Sequence, residues 1–324
     1  MASELVTIFG ASGFIGRHLV RQLAKRGYRV RAAVRRPNLA NFLQPMGDVG
    51  QVQIVQANVR NDASIKRAVA GADAVVNLVG LLQEFGKQKF STVHADAPGL
   101  IAGAAAAAGI DRFVQMSAIG ADPSASAKYA RTKGEGEAAA RKALPSTMVV
   151  RPSIVFGPED EFFNRFGAMA RIAPVLPLIG GGKTKFQPVY VTDVAEAIVA
   201  LLERSEFKGR TVELGGPTIY SFKELLQLVT EQTNRSKALV SIPFPIASLM
   251  GLLTGWLPFA PLTYDQVKLL RSDNVVGASD DPEIAIFEDL GIHPSTVEAI
   301  VPQYLWRFRP HGEFQEPDYE GNGL

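Results

Sequence analysis

Cysteine is absent from this chain of 324 residues. That one absence excludes disulfides, thiolate zinc sites, cysteine-ligated iron–sulfur clusters and a cysteine nucleophile together. Histidine is nearly as scarce: His18, His94, His293 and His311 stand without ligand spacing, so no metal site is expected and each reads as an ordinary surface or core residue. A surplus of charge is missing too. With a net charge of +2 and no basic face interleaved with aromatics, nucleic acid is excluded as the main partner. No apolar run approaches the roughly 20 residues that a bilayer span needs. The first strand begins by Leu5, which in the chain as given leaves no room for a signal or transit peptide. The expected setting is a compartment with cytosol-like redox conditions, or a matrix already reached by processing. No internal repeat is visible.

What is present begins with Thr7-Ile-Phe-Gly-Ala-Ser-Gly-Phe-Ile-Gly16. An apolar strand runs into glycines at 10, 13 and 16, and a helix follows to about Arg26. This is the arrangement of a dinucleotide turn. Gly10 permits the bend, Gly13 lets a pyrophosphate approach the backbone, and Gly16 lets the helix pack close on the sheet. The amides of Ser12, Gly13, Phe14 and Ile15 are expected to face the phosphates at the positive end of the helix.

The following residues alternate between strand and helix. Strands are predicted at 28–34, 52–56, 74–79, 112–116 and 147–150, with helices at 63–70, 96–108 and 127–143 between them. Nearly continuous apolar strands separated by helices indicate a parallel sheet covered on both faces. The expected fold is α/β: a Rossmann-type doubly wound parallel sheet over residues 1–150, with a smaller, mostly helical C-terminal lobe over 151–309. Strand-like segments at 187–191 and 211–214 suggest that this lobe is interleaved with the last strands of the core. Capping-box spacing marks helix starts at Asp193/Glu196 and Ser221/Glu224, and Asp281-Pro282 marks a third. The most apolar run is Ile246-Ala-Ser-Leu-Met-Gly-Leu-Leu-Thr-Gly-Trp-Leu257. It suits either a buried helix or, within 243–262, a segment that docks on a partner or a lipid surface. Residues 310–324 form an acidic tail without Lys or Arg.

At the end of the second strand, where an NAD site offers an acid to the ribose 2′-hydroxyl, stand Arg35 and Arg36. Two guanidiniums suit a 2′-phosphate, so NADPH is the expected cofactor. Asn58 and Val59 follow the third strand, and Leu78, Val79 and Gly80 the fourth, at the sheet edge where adenine and nicotinamide ribose would lie. The fifth strand ends at Ser117, and the next helix carries Tyr129 and Lys133 four apart on one face. There an ammonium is expected to lower the phenol's pKa for proton exchange with a carbonyl or alcohol, with the serine hydroxyl steadying the same oxygen.

These residues, with Arg151-Pro-Ser-Ile-Val-Phe-Gly157 and Val189-Tyr-Val-Thr-Asp193-Val-Ala195, resemble the extended or atypical short-chain dehydrogenase/reductases. The resemblance spans about residues 4–215. It implies that Lys133 also holds the nicotinamide ribose and that the segment from Pro152 to Val155 borders the carboxamide. Asn58 stands where many relatives carry an aspartate. Farther on, Leu257-Pro-Phe-Ala-Pro-Leu-Thr263-Tyr-Asp265-Gln266-Val-Lys-Leu-Leu270-Arg-Ser-Asp273-Asn274-Val-Val276 is similar to the NADPH-binding accessory subunits of respiratory complex I and their bacterial counterparts. That resemblance implies a structural nucleotide rather than turnover, and other complex I subunits as partners near the membrane and quinone site. The location would be the cytoplasmic face of a bacterial inner membrane or the matrix face of the mitochondrial one. The alternatives are a free NADPH-dependent reductase or epimerase using Ser117, Tyr129 and Lys133, and an NADPH-sensing regulator.

Overall fold

Most residues of the five segments β1 (Leu5–Phe9), β2 (Arg29–Val34), β4 (Ala74–Asn77), β5 (Phe113–Met116) and β6 (Met148–Pro152) are apolar or small, and most are buried. Such strands need cover on both faces. In the computed structural model, which describes residues 4–84, 86–254, 262–277 and 283–314, they find it in an eight-stranded sheet. With β3 (Val52–Gln56) at one edge, the order is β3-β2-β1-β4-β5-β6, then the strand Thr211–Leu214, then Ile284–Ala285. All pairings are parallel. The order reverses between β1 and β4, so the crevice at their C-terminal ends is the switch point where such sheets bind ligands.

The crossover helices are α1 (Phe14–Lys25), α2 (Asp62–Val69), α3 (Ala97–Ala107) and α4 (Lys128–Ala143). Asn61 caps α2 by accepting from Ser64 N–H at 2.9 Å. Arg141 and Lys142 sit in the last turn of α4, complementing its negative end. The helix Val191–Glu203 packs beside α1, and Arg26 bonds Glu203 at 3.0 Å across that seam.

The chain forms two compact units. One consists of Met1–Pro152, Val191–Leu214 and Asp280–His293; the other of Ser153–Tyr190, Gly215–Ser279 and Pro294–Leu324. The second is mostly helical, around a core that includes Phe156, Phe163, Phe222, Leu225 and Leu305. In it the buried carboxylate of Asp160 accepts from Gly157 N–H at 3.1 Å, Asn164 N–H at 3.0 Å and Tyr304 O–H at 2.5 Å. The helix Phe244–Thr254 buries only Ala247 and Gly251 and leaves Ile246, Leu249, Met250, Leu252 and Leu253 exposed. Gly251 allows close packing, since a Cβ there would lie 2.7 Å from Tyr264 N. No helix among the described residues is long and apolar enough to cross a membrane.

Several expectations change at the level of single elements. The helix expected at 96–108 is preceded by a π-helical turn, Ser91–Asp96, and the α-helix proper begins at Ala97. Asp193 does not cap a helix. The helix starts at Val191, and Asp193 is buried in its first turn. Of the strand expected at 187–191, only Val189–Tyr190 forms, and it pairs with Val155–Phe156 instead of joining the main sheet. The Ser221/Glu224 capping box is present, with Glu224 accepting from Ser221 N–H at 2.6 Å. A second box at Thr263/Gln266 went unforeseen. Asp281, Pro282, Trp256 and most of the acidic tail lie outside the described residues.

Candidate functional site

The turn after β1 is built by what its glycines omit. Gly10 has φ +83°, and a Cβ there would sit 3.2 Å from Leu78 C and Val79 N. It therefore serves both the bend and the close approach of β1's end to the chain leaving β4. A Cβ on Gly16 would lie 2.4 Å from Gly10 O and 2.6 Å from Ala11 O. The third glycine thus seats α1 on the turn itself, where sequence reasoning placed it against the sheet. The N–H of Gly13 donates to Gly10 O at 2.9 Å, and the first bond back into α1 runs from Arg17 N–H to Gly13 O. Gly13 is accordingly not an open donor, and the helix offers an anion the amides of Phe14, Ile15 and Gly16, with Ser12 half-buried beside them.

Arg35 and Arg36 follow β2 directly and are exposed. Asn58 opens the turn into α2: its N–H donates to Ser64 Oγ at 3.0 Å, and its side-chain oxygen accepts from Arg60 N–H at 3.1 Å. Val59 is buried beneath that turn. Leu78 N–H donates to Phe9 O at 2.9 Å, and Val79 N–H to Asn77 Oδ1 at 3.1 Å. Asn77 in turn donates to Gln115 Oε1 at 2.8 Å. This buried amide pair ties the ends of β4 and β5 together. Its residues look like strand interior in the sequence, and only the register shows them to be a brace.

Ser117 extends β5, with its N–H bonded to Val150 O at 2.7 Å. Its Oγ is buried and has no hydrogen-bond partner among the described residues. Leaving a buried hydroxyl unsatisfied costs about 1–3 kcal/mol, so this atom has a hydrogen bond left to make. On α4, Lys133 Nζ lies 5.9 Å from the Tyr129 ring centre and donates to Met116 O at 3.3 Å. It also comes close to Gly80, whose added Cβ would be 3.5 Å away. Pro152 ends β6, its carbonyl accepting from Ile119 N–H at 3.1 Å. The structure thus brings Gly10, Leu78, Val79, Gly80, Ser117, Tyr129 and Lys133 to the C-terminal ends of neighbouring strands. Val155 belongs to the second unit, in the strand Val155–Phe156.

Burial governs the electrostatics. It pushes the Tyr129 phenol up to about 12. The direction is opposite to the lowering expected from the ammonium. Lys133 itself is lowered to about 8, burial outweighing the opposing charge of Glu137. The group that sequence reasoning missed is His94, on the π-turn. It is 2% exposed, stacks on Phe90 at 5.0 Å and stands edge-on to Tyr129 at 5.3 Å. Burial first and Lys133 second lower its pKa to about 3. The one signal available was a π-turn capable of carrying it inward, and the sequence does not display that.

The cradle, the orphan hydroxyl and the lysine fit a nicotinamide dinucleotide, which when bound supplies a hydride donor or acceptor. The residues of this chain that would meet it are Lys133, a buried donor 5.9 Å from the Tyr129 ring centre, and Ser117, whose Oγ has a hydrogen bond left to make.

The family model described as "NAD dependent epimerase/dehydratase family" matches residues 6–215. The chain is 37% identical over 322 residues to the NADH dehydrogenase [ubiquinone] 1 alpha subcomplex subunit 9, mitochondrial, of Arabidopsis thaliana, covering 95% of this chain and 79% of that one. It is 32% identical over 259 residues to a ceramide reductase of Caulobacter vibrioides, covering 79% of each. Among solved structures, a dTDP-glucose 4,6-dehydratase of Streptomyces venezuelae with NAD bound superposes with a TM-score of 0.69 at 17% identity, covering 94% of this chain and 96% of that one. That likeness bears on the fold. The chain belongs to the NAD dependent epimerase/dehydratase family, and it is similar along nearly its whole length to the alpha subcomplex subunit 9 protein of Arabidopsis thaliana.

Proposed function

We propose that this protein is an accessory subunit of a respiratory NADH:quinone oxidoreductase of the complex I type, holding NADPH as a structural nucleotide and docking on the peripheral arm at the membrane surface. The observation that carries this is the extent of the match to subunit 9, which covers 95% of the chain and so runs through both compact units. The five exposed apolar side chains of the helix Phe244–Thr254 supply a docking face, to other subunits or to lipid.

Burial of one leucine side chain contributes roughly 1.5–3 kcal/mol, so two charges on that face should detach the subunit. Leu249→Glu with Leu252→Glu is expected to leave a folded, nucleotide-binding protein that no longer co-purifies with complex I subunits in mild detergent. Undisturbed co-purification would place the docking surface elsewhere. Failure of the unmodified protein to bring complex I subunits with it would defeat the accessory role altogether.

The choice of NADPH over NADH rests on Arg35 and Arg36 at the end of β2. One charge-assisted phosphate contact is worth about 1.5–3 kcal/mol. Arg36→Asp is therefore expected to weaken NADPH at least tenfold more than NADH in a fluorescence titration, by roughly 1.4 kcal/mol per tenfold. Equal affinities of the unmodified protein for the two nucleotides would rule out the 2′-phosphate assignment.

A second function is favoured by one observation, the unpartnered buried Oγ of Ser117 next in the chain to Met116, whose carbonyl accepts from Lys133: reduction of a substrate, here of a carbonyl group, reduction being what the name of the Caulobacter relative denotes. An NADPH-dependent activity that Tyr129→Phe abolishes while the nucleotide stays bound would select it.

A further inference from the structure

His94 is held by more contacts than a core histidine needs. Its π-turn presses on α4 so closely that a Cβ on Gly136 would lie 1.9 Å from His94 O. Two glycines inside one helix, Gly134 and Gly136, each cost roughly 1 kcal/mol of helix propensity. For Gly136 the return is this approach of the imidazole to Tyr129 and Lys133.

The hydrogen bonds fix the tautomer. Leu81 N–H donates to His94 Nε2 at 2.8 Å, so Nε2 carries no proton. On the other side Nδ1 faces Thr132 Oγ1 at 3.4 Å, and that hydroxyl donates to Lys128 O at 2.9 Å. Thr132 therefore has a lone pair for an N–H, and the ring is the neutral Nδ1–H form. Leu81 directly follows Leu78, Val79 and Gly80, the chain that lies against Gly10 and Lys133. Phe90 and the imidazole together wall the Tyr129 ring, from 5.8 and 5.3 Å.

We infer that His94 is the positioning residue of the nucleotide site: its unprotonated Nε2 fixes the wall from Leu78 to Leu81, and its edge-to-face contact fixes the plane of Tyr129. This rests on the site holding a nicotinamide nucleotide. The groups facing the ring are Lys133, Tyr129 and Thr132 on α4, the Leu81 amide, and Phe90. None of them is an acid that would favour protonation. Burial and the Lys133 charge keep the ring neutral, so the acceptor persists through mildly acidic pH.

The test uses the full chain. Long-range ¹H–¹⁵N correlation spectra of the unmodified protein should show one histidine in the Nδ1–H form without titration between pH 8 and 5, assigned by its loss in His94→Gln. In parallel, NADPH titrations compare His94→Gln, whose Oε1 can still accept from Leu81, with His94→Leu, which cannot. The expected result is an affinity within about threefold of the unmodified protein for Gln and at least about tenfold weaker for Leu, as one lost acceptor in a buried site costs. Hydrogen exchange at the Leu81 amide should quicken in Leu alone. A filler role without positioning would lower thermal stability in both variants and leave their affinities equal, which overturns the inference. So does an Nε2–H tautomer, or titration near pH 6.5. Should the unmodified protein bind no nicotinamide nucleotide, the nucleotide assignment falls separately, and the tautomer and Leu81 exchange still decide whether His94 sets the wall. If His94→Leu does not fold, those same two measurements on the unmodified protein and His94→Gln carry the decision.

Discussion

Replacing Lys133 with methionine should make the nucleotide-free protein more stable and its nucleotide site weaker. Lys133 is 6% exposed, and burial lowers its pKa from 10.5 to about 8. In the unfolded chain the amine titrates near its ordinary value. Between pH 8 and 10.5 the unfolded state therefore holds a proton that the folded state has lost, and stability rises with pH across that window. Below pH 8 the full penalty of the buried ammonium is present, about 3 kcal/mol by the size of the shift. Methionine fills a similar volume without the charge. Thermal unfolding at pH 7 should move upward in Lys133→Met, and the rise in stability between pH 8 and 10.5 should disappear. If Lys133 holds the nicotinamide ribose as proposed, the same variant should release the nucleotide, because the ribose hydroxyls would lose their donor. Tyr129→Phe should retain it, because the phenol is not needed to hold a ribose. If Lys133→Met proves less stable than the unmodified protein, the bond from Nζ to Met116 O outweighs the cost of burial, and Lys133 is a structural residue first.

The second large effect is expected at Glu137. Its carboxylate is 5% exposed and takes two bonds from Arg151, at 3.0 and 2.7 Å, while Glu213 stands 3.7 Å from the same guanidinium. A bidentate pair of this kind tolerates burial because the planar fork of arginine matches the carboxylate. Glu137→Leu leaves Arg151 inside with one distant partner, and breaking a buried pair from one side costs about 3–5 kcal/mol. Urea denaturation should show that loss, and Glu137→Leu with Arg151→Met and Glu213→Gln should recover part of it by removing the guanidinium together with the carboxylate that faces it. A single-variant cost below about 1 kcal/mol would mean that water reaches Arg151 and the network is a surface feature.

Much of the first unit could be read from residues alone, for a physical reason. Strands buried on both faces must be largely apolar, and a helix end announces itself by glycine at a left-handed position, as Gly27, Gly71 and Gly109 do with φ from +68° to +84°. Gly10, Gly13 and Gly16 were legible because a missing side chain is a statement about space. Three things were not. A π-turn differs from an α-turn by one residue of register, so the inward aim of His94 has no local signature. The pairing of Val189–Tyr190 depends on which strand arrives first beside it, and two-residue strands carry no periodicity to say so. The titration of Tyr129 and Lys133 depends on depth. Their spacing of four puts them on one helical face, but it does not say that Nζ turns to Met116 O or that the phenol is raised and not lowered.

The strand order of the main sheet also sets a schedule for synthesis. β6 acquires its outer neighbour only when Thr211–Leu214 has left the ribosome, and that strand waits in turn for Ile284–Ala285. At 5–20 residues per second, β6 shows an unpaired apolar edge for several seconds of translation. Parallel pairings between such distant segments also fold slowly. A nascent chain of this topology is a natural client for chaperones, and any truncation before Thr211 would leave that edge permanently open to other strands.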